Sequence, residues 1–266
     1  MRLANKIALI VGAGQTPGEG LGNGRATALR FAQEGAKVFA VDRDLASAEE
    51  TAAMVREKGG VCVPFQADVT REATLKAAMD AALARWGRID VLHNNVGVSI
   101  AGGDKRLEEL TEEAFDRMSA INLRGTIMAC KHVMPIMRAQ KAGAIINISS
   151  IAAWAQYPLI AYKATKAAMI AFTQQIAVQN AEYGVRANVI LPGLMATPMA
   201  IEARAKDWKR SREDIIAERD AQVPLRHKMG TAWDVANAAL FLASDEANFI
   251  TGVALPVDGG ALARIG

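Results

Sequence analysis

A tyrosine and a lysine stand four residues apart in the segment AYKATKAA, a spacing that could support proton transfer. In a helix, Tyr162 and Lys166 lie on one face, a single turn apart. A phenol has a reference pKa of about 10, so tyrosine needs surroundings that favour the phenolate before it can act near neutral pH. A neighbouring ammonium does this, and a pKa of about 7 would require roughly 4 kcal/mol of differential stabilisation. The same spacing also occurs by chance on exposed helices.

Two serines close the apolar run AIINISS just upstream of this pair. A hydroxyl at the carboxyl end of a strand can hold a substrate carbonyl oxygen and polarise it for attack. Ser149 and Ser150 are both candidates, and either could instead satisfy backbone groups in a turn.

A glycine-rich stretch, ALIVGAGQTPGEGLGNGRATAL, connects an apolar run to a helical pattern near the N-terminus. Backbone N–H groups at a helix N-terminus bind pyrophosphate when no side chain blocks the approach. We expect Gly12 to make the turn out of the strand and Gly22, Asn23 and Gly24 to face phosphate. Residues 13–21 are then an inserted excursion; the alternative is a long surface loop.

The second apolar run, KVFAVD, ends in Asp42 about twenty residues beyond these glycines. A carboxylate at this position accepts hydrogen bonds from the ribose hydroxyls of NAD and repels the 2′-phosphate of NADP. Arg43 follows directly and could accommodate that phosphate. The sequence therefore favours NAD, with NADP as the alternative.

Seven apolar runs must form the elements that position these residues, and helical segments separate them. Uninterrupted apolarity indicates strands buried on both faces, and the β–α alternation predicts a doubly wound parallel sheet of about seven strands with helices on both faces. We predict one Rossmann-type domain over residues 1–266, with long helices over 111–140 and 162–183. The segment 195–224 interrupts the pattern and is predicted to be a substrate flap. Its six basic and six acidic residues between Met199 and Gln222 balance, which argues against a strongly acidic ligand.

Bulk composition excludes several classes of protein. The net charge of +3, without a dense basic block, argues against nucleic-acid binding. Two cysteines, Cys62 and Cys130, cannot form a multi-bridge scaffold, and three scattered histidines offer no metal site. No apolar stretch approaches the roughly 20 residues of a membrane span. A cytoplasmic enzyme or binding protein without a metal site is expected.

Taken together, the motifs resemble those of the short-chain dehydrogenase/reductase family over essentially the whole chain. The motifs that carry the resemblance are the glycine loop, DVT at Asp68, NNVG at Asn94, INLRG at Asn122, Ser150, Tyr162 with Lys166, LPGLMATP at Pro192, and TGVALPVDGG. Two departures stand out: Val11 replaces the threonine usual before the first glycine, and the glycine loop is longer than is common.

The resemblance implies a role for each matching residue. Tyr162 would be the general acid and base, Lys166 would lower its pKa and contact the nicotinamide ribose, Ser150 would orient the carbonyl, and Asn122 would help hold a proton relay. The implied cofactor contacts are Asp68 and Val69 at the adenine, Asn94, Asn95 and Gly97 along the cleft, and Pro192, Gly193, Met195 and Thr197 at the carboxamide.

The resemblance also implies an activity: the NAD-dependent interconversion of a secondary alcohol and a ketone, in a homotetramer built through the two long helices and the terminal strand. Ser149 would restore the usual spacing to the tyrosine, whereas the local pattern SSIAA favours Ser150. Trp154 and Tyr157 could line the substrate pocket or simply pack in the core. The alternatives are an NADP-dependent carbonyl reductase and a non-catalytic nucleotide-binding scaffold.

Overall fold

Seven parallel strands form the centre of the fold in the computed structural model, which describes residues 1–264. They are β1 (Ile7–Val11), β2 (Lys37–Asp42), β3 (Val61–Gln66), β4 (Val91–Asn94), β5 (Gly143–Ile148), β6 (Val185–Pro192) and β7 (Ala254–Val257). Each lies within one of the seven predicted apolar runs, except that β5 and β6 each begin one residue before theirs. Every residue of β1 is buried, which explains why that run is apolar without alternation.

The strand order is β3-β2-β1-β4-β5-β6-β7, so the chain reverses its direction of travel across the sheet between β1 and β4. The doubly wound fold predicted from the sequence is confirmed. In such sheets the crevice at the reversal, beyond the carboxyl ends of the strands, is where ligands bind. The residues of a functional site should therefore lie beside this crevice.

Helices cover both faces of the sheet. One face carries α1 (Asn23–Gln33), α2 (Leu45–Glu57) and α9 (Ala232–Ala243), which bury their apolar side chains in one core cluster. The other face carries α3 (Glu72–Trp86), α5 (Gly125–Gln140) and α6 (Ile160–Asn180), which contribute to a second cluster. The buried thiols of Cys62 and Cys130 belong to these two cores, one to each.

One predicted helix is broken in the structure. The pattern over 111–140 predicts a single helix, whereas α4 (Glu112–Ser119) is followed by a π turn over Ala120–Arg124 before α5 begins. A π turn inserts one residue into the helical hydrogen-bonding pattern, and such insertions are frequent at functional sites. Apolar periodicity does not reveal a single inserted residue, so the sequence offered no signal for it.

The 195–224 segment contains two helices, α7 (Pro198–Trp208) and α8 (Arg212–Gln222). Pro198 stands at the first turn of α7, where its missing N–H costs nothing, and the hydroxyl of Ser211 accepts the Asp214 N–H at the start of α8. Helix α7 also contacts a short turn over Ile100–Gly102 that follows β4. The segment therefore lies over the carboxyl end of the sheet.

Candidate active site

Ser149 and Ser150 follow β5 but occupy different environments. The Ser149 hydroxyl is buried and donates to the backbone carbonyl of Lys166 at 2.7 Å. The Ser150 hydroxyl accepts the Ala152 N–H at 3.1 Å and lies close enough to Tyr162 for hydrogen bonding to lower the pKa of the phenol. Ser149 thus anchors helix α6, and Ser150 is the serine that faces the tyrosine.

Lys166 is buried beside Tyr162 on the same face of α6. Its Nζ lies 5.7 Å from the centroid of the Tyr162 ring and donates to the carbonyl oxygen of Ile148 at 2.8 Å. Burial lowers the pKa of Lys166 to about 8, so the ammonium still predominates at neutral pH. A Cβ added to Gly97 would stand 3.0 Å from this Nζ, so the absence of a side chain at Gly97 leaves room for the ammonium.

The pKa of Tyr162 differs from the sequence-based expectation. Burial raises it to about 12, and the nearby Tyr157 adds to this effect, while Ser150 and Arg204 oppose it. The lower pKa predicted from the sequence is absent because desolvation of the phenolate outweighs the hydrogen bond with Ser150 and the charge of Arg204. In this state of the protein, Tyr162 is a neutral phenol that can donate a proton.

Asn122 lies within the π turn and joins two parts of the site. Its Oδ1 accepts the Val98 N–H at 2.8 Å, and its Nδ2 donates to the Val98 carbonyl at 2.9 Å and to Thr165 Oγ1 at 3.3 Å. The side chain therefore fixes the loop after β4 against helix α6. This placement brings Asn122 into the cluster predicted from the sequence.

The glycines after β1 create the close approach that a phosphate site needs. Gly12 has a φ of +85°, and a Cβ on Gly24 would stand 1.9 Å from the Gly12 carbonyl oxygen. Gly22 is the N-cap of α1, the first turn of α1 holds no acidic residue, and the buried Oδ1 of Asn23 has no hydrogen-bond partner among residues 1–264. A helix N-terminus with free N–H groups and no blocking side chain fits a dinucleotide pyrophosphate.

The side chain of Gln15 connects the start of the inserted excursion to its end. Its Oε1 accepts the Gly22 N–H at 2.9 Å, and its Nε2 donates to the Gly20 carbonyl at 3.2 Å. The excursion then extends toward the 195–224 segment, where Glu19 pairs with Arg212 of α8 at 2.7 Å. The ends of the glycine turn thus stay together although the loop is long.

Asp42 and Asp68 follow neighbouring strands at the carboxyl edge of the sheet. Asp42 Oδ2 accepts the Gly14 N–H at 2.9 Å and its Oδ1 accepts the Asp44 N–H at 3.1 Å. Asp68 Oδ1 accepts both the backbone and hydroxyl hydrogens of Thr70 at 2.8 Å. A carboxylate has about four acceptor sites, so Asp42 retains capacity for ribose hydroxyls.

The residues that follow these two aspartates differ in exposure. Arg43 is exposed, and Val69 is half-buried. A Cβ added to Gly125, at the start of α5, would stand 2.7 Å from the Val69 Cβ, so helix α5 closes one side of Val69. Val69, a predicted adenine contact like Asp68, thus lies at the same edge of the crevice as the two aspartates.

The NNVG motif after β4 is divided between the core and the crevice. The Asn94 side chain is buried and donates to Asn147 Oδ1 at 2.9 Å, so it faces the core. Asn95 Nδ2 donates to the Gly12 carbonyl at 3.1 Å, and Gly97 lies against Lys166. Asn95 and Gly97 therefore border the crevice, whereas the side chain of Asn94 supports it from beneath.

The LPGLMATP motif follows β6 on the other side of the reversal. A Cβ on Gly193 would stand 2.6 Å from the Cα of Asp258, so Pro192 and Gly193 are held against the segment after β7. Met195 is buried and forms a parallel bridge with Gly230, and Thr197 is the buried N-cap residue of α7. These residues connect the sheet edge to the segment above it.

The two aromatic residues between serine and tyrosine have separate positions. The Tyr157 ring centroid lies 5.6 Å from that of Tyr162, and the Tyr157 hydroxyl is 3.0 Å from the Ser99 hydroxyl. Trp154 is 53% exposed. Tyr157 thus lies beside Tyr162, whereas Trp154 lies at the surface. Trp154 is therefore not a core residue.

Two residues that sequence reasoning missed hold this cluster in place. Asp104 is buried, and its two carboxylate oxygens accept the N–H groups of Ala161 and Tyr162 at 2.9 and 3.0 Å. Lys163 Nζ donates to the Ala155 carbonyl at 2.6 Å and to two neighbouring carbonyls of the serine loop. Lys163 is adjacent to Tyr162 in the motif, whereas no local pattern pointed to Asp104.

Nowhere in residues 1–264 do three His, Cys, Asp or Glu side chains gather as a metal site would require. No described helix combines the length and apolarity that crossing a membrane demands.

A doubly wound parallel sheet with a serine, a tyrosine and a buried lysine at its carboxyl edge defines a class of oxidoreductases. A family model described as enoyl-(acyl carrier protein) reductase matches residues 19–261. The chain belongs to the short-chain dehydrogenase/reductase family and is an oxidoreductase of the alcohol–ketone type.

Individual relatives extend over almost the full length. The chain is 34% identical to 2-(R)-hydroxypropyl-CoM dehydrogenase of Xanthobacter autotrophicus, over 96% of this chain and 98% of that protein. It is 34% identical to levodione reductase of Leifsonia aquatica, over 97% and 95%. The crystal structure of carveol dehydrogenase from Mycobacterium avium in complex with NAD superposes with a TM-score of 0.89 at 31% identity, covering 99% of each chain.

Proposed function

We propose that the protein is an NAD(H)-dependent dehydrogenase that interconverts a secondary alcohol and a ketone, with Tyr162 as the general acid and base. The cluster of Ser150, Tyr162 and Lys166 at the carboxyl edge of the sheet carries this proposal. Its support is the placement of the Ser150 hydroxyl against the phenol and of the buried ammonium 5.7 Å from the phenol ring.

The residues of the cluster divide the work of proton transfer. In the oxidative direction Tyr162 takes the proton of the substrate hydroxyl, and in the reductive direction it returns that proton to the carbonyl oxygen. The Ser150 hydroxyl holds the same substrate oxygen, and Lys166 stabilises the phenolate. A bound nicotinamide supplies the site that accepts or donates hydride.

The two directions of the reaction place different demands on Tyr162. With a pKa raised to about 12, the phenol is protonated and is ready to act as the acid of ketone reduction. Alcohol oxidation needs the phenolate, so the pKa must fall when the cofactor binds. The positive charge of an oxidised nicotinamide would act in that direction.

Replacement of Tyr162 by Phe tests this role directly. Tyr162→Phe removes only the hydroxyl, so we expect kcat to fall by about 10³-fold while NADH binding, measured by fluorescence, stays unchanged. Tyr183→Phe is the matched control, because that ring packs against Arg138 away from the site, at 4.8 Å from its guanidinium. A Tyr162→Phe protein with full turnover would refute the proposal.

The choice of NAD over NADP rests on Asp42. Its two remaining acceptor positions suit the ribose hydroxyls, and its charge repels a 2′-phosphate. We expect the wild-type protein to prefer NAD and Asp42→Asn to weaken NAD binding by about tenfold or more, since hydrogen bonds to a charged group contribute roughly 1.5–3 kcal/mol.

Asp44→Asn is the control for that experiment, because Asp44 caps α2 through one oxygen that an asparagine retains. Titrations with NAD and NADP on all three proteins measure the effect. A wild-type preference for NADP would instead assign the phosphate contact to the exposed Arg43.

We also propose a homotetramer built through the long helices and the terminal strand. Strand β7 lies at the edge of the sheet and pairs only with β6, and unpaired edges favour association. Near these elements, Val178 is 78% exposed and Phe249 is fully exposed. Light scattering should give the mass of four chains, and the double variant Val178→Asp with Phe249→Asp should give a smaller mass. A monomeric wild-type protein would contradict this.

A further inference from the structure

Helix α8 carries a buried cation, Arg219. The residue is only 9% exposed. Its Nε donates a hydrogen bond to the thioether sulfur of Met229 at 3.3 Å, and a thioether is a weak acceptor. Within residues 1–264, Arg219 forms no salt bridge. Because a buried charge is costly unless it is paired, this arrangement requires an explanation.

The acidic residues nearest in sequence are engaged elsewhere. Asp220 accepts from Lys228 Nζ at 2.6 Å and from the Met229 N–H at 2.8 Å. Glu218 pairs with Arg210, and Glu202 pairs with Arg212 at 3.0 Å. The balanced charge of the 195–224 segment therefore conceals a buried cation without an ion pair, on which Glu218 acts only through its charge at longer range.

A second arginine, Arg204 on helix α7, completes what we call the arginine pair, Arg204 and Arg219. Arg204 is half-buried; its Nη1 donates to the Ala200 carbonyl at 2.8 Å, and its guanidinium lies 5.7 Å from the Trp208 ring centroid. In the described chain it too forms no salt bridge. Both guanidinium groups thus keep donors free for a ligand.

The arginine pair lies on the two helices that cover this end of the sheet. Helix α7 contacts the Ile100–Gly102 turn, which directly follows Ser99, the contact of Tyr157. Arg219 contacts Met229, whose neighbour Gly230 forms the bridge with Met195. The charge of Arg204 lowers the pKa of Tyr162, and burial together with Arg204 lowers the pKa of Arg219 to about 10. Tyr157, whose ring centroid is 5.6 Å from that of Tyr162, also influences Arg219. Together with the contacts of α7 and α8, these influences place the arginine pair on the side of the site that Tyr157 and Tyr162 border.

We propose that the substrate is a short hydroxy or keto acid whose carboxylate or sulfonate binds to Arg204 and Arg219 while its carbinol carbon lies at Tyr162. This inference rests on the proposed function and adds the chemical class of the substrate. Planar guanidinium groups present paired donors that match an oxyanion, and such charge-assisted hydrogen bonds are strong in a partly desolvated cleft. The substrate anion supplies the ion pair that neither arginine forms within residues 1–264.

Matched substrates test the proposal. The wild-type enzyme should oxidise 3-hydroxybutyrate with a kcat/KM at least 100-fold above that for 3-hydroxybutanamide or 2-butanol. Arg219→Met should lower kcat/KM for 3-hydroxybutyrate by about 10- to 100-fold and change the values for the two neutral alcohols less than threefold. Arg204→Met should lower the value for 3-hydroxybutyrate by a larger factor than the values for the neutral alcohols, which it also affects because the charge of Arg204 lowers the pKa of Tyr162. Lys206→Met, which removes an exposed cation from helix α7, is the control and should leave all three values unchanged.

A stability measurement separates ligand binding from a structural role. Two cations that lack counter-charges in the protein destabilise the fold, so Arg219→Met should raise the Tm. The addition of acetoacetate should raise the Tm of the wild-type protein and not that of Arg219→Met. A lowered Tm for Arg219→Met, with equal losses on charged and neutral alcohols, would show a structural arginine and overturn the proposal.

The result also distinguishes this proposal from the proposed function. Turnover of 2-butanol that Tyr162→Phe abolishes, with no preference for 3-hydroxybutyrate, would refute the anion site and leave the dehydrogenase assignment standing. Turnover by Tyr162→Phe equal to the wild type would refute the proposed function. Binding of acetoacetate that depends on Arg219 would then still support the anion site.

Discussion

Asp104 holds the backbone of the proposed catalytic tyrosine although it lies 58 residues earlier in the chain. Its carboxylate accepts two N–H groups in the first turn of α6, where helix N-termini leave such donors without partners. The negative charge at this helix end is favourable, and it also raises the pKa of Tyr162. Asp104 is therefore a positioning residue that also tunes the tyrosine.

We predict two separable effects of Asp104→Ala. Loss of the helix cap should lower the free energy of unfolding by about 1–2 kcal/mol. Loss of the negative charge should lower the pKa of Tyr162, so the pH profile of alcohol oxidation should move toward lower pH. Urea unfolding and the pH dependence of kcat measure the two effects.

Thr231→Ala is the control for Asp104→Ala. Thr231 forms a capping box at the start of α9, so its loss should cost comparable stability without moving the pH profile. An Asp104→Ala protein that loses stability but keeps the wild-type profile would limit Asp104 to a structural role.

At the scale of secondary structure, apolar runs identified the strands because buried parallel strands leave no room for polar alternation. The same pattern could not reveal the π turn at Asn122, since a single inserted residue hardly disturbs an apolar period. The path of the glycine excursion also lay beyond prediction, because it depends on contacts of Gln15 and Glu19 with distant parts of the chain.

The candidate site shows the same division at the level of helices. Tyr162 and Lys166 were predictable because one helix turn relates them. Their charges were not, since the pKa of Tyr162 depends on burial that only the assembled elements create. The arginine pair could not be predicted from the sequence for a related reason. A balanced total charge does not indicate which side chains of α7 and α8 are buried.

At the scale of the whole molecule, the buried His93 makes the free energy of unfolding depend on pH. It lies in β4, is fully buried, and contacts Phe31 edge-to-face with ring centroids 6.2 Å apart. In the described part of the chain neither ring nitrogen has a hydrogen-bond partner. Burial lowers the pKa of His93 to about 3, so the folded protein holds this ring neutral.

We predict that His93 makes the fold sensitive to mild acid. An unfolded histidine binds a proton below its pKa of about 6.5, whereas folded His93 does so only near pH 3, so the unfolding free energy falls as pH drops through this window. The loss should approach 1.4 kcal/mol per pH unit, or about 2 kcal/mol at pH 5.

His93→Leu should remove this part of the pH dependence and should keep or raise stability at pH 7, because the unpaired ring nitrogens are gone. Urea unfolding at pH 7 and pH 5 measures the difference, and His227→Leu, at an exposed site, should retain the wild-type dependence. Equal losses between the two pH values for His93→Leu and the wild type would locate the acid sensitivity elsewhere in the molecule.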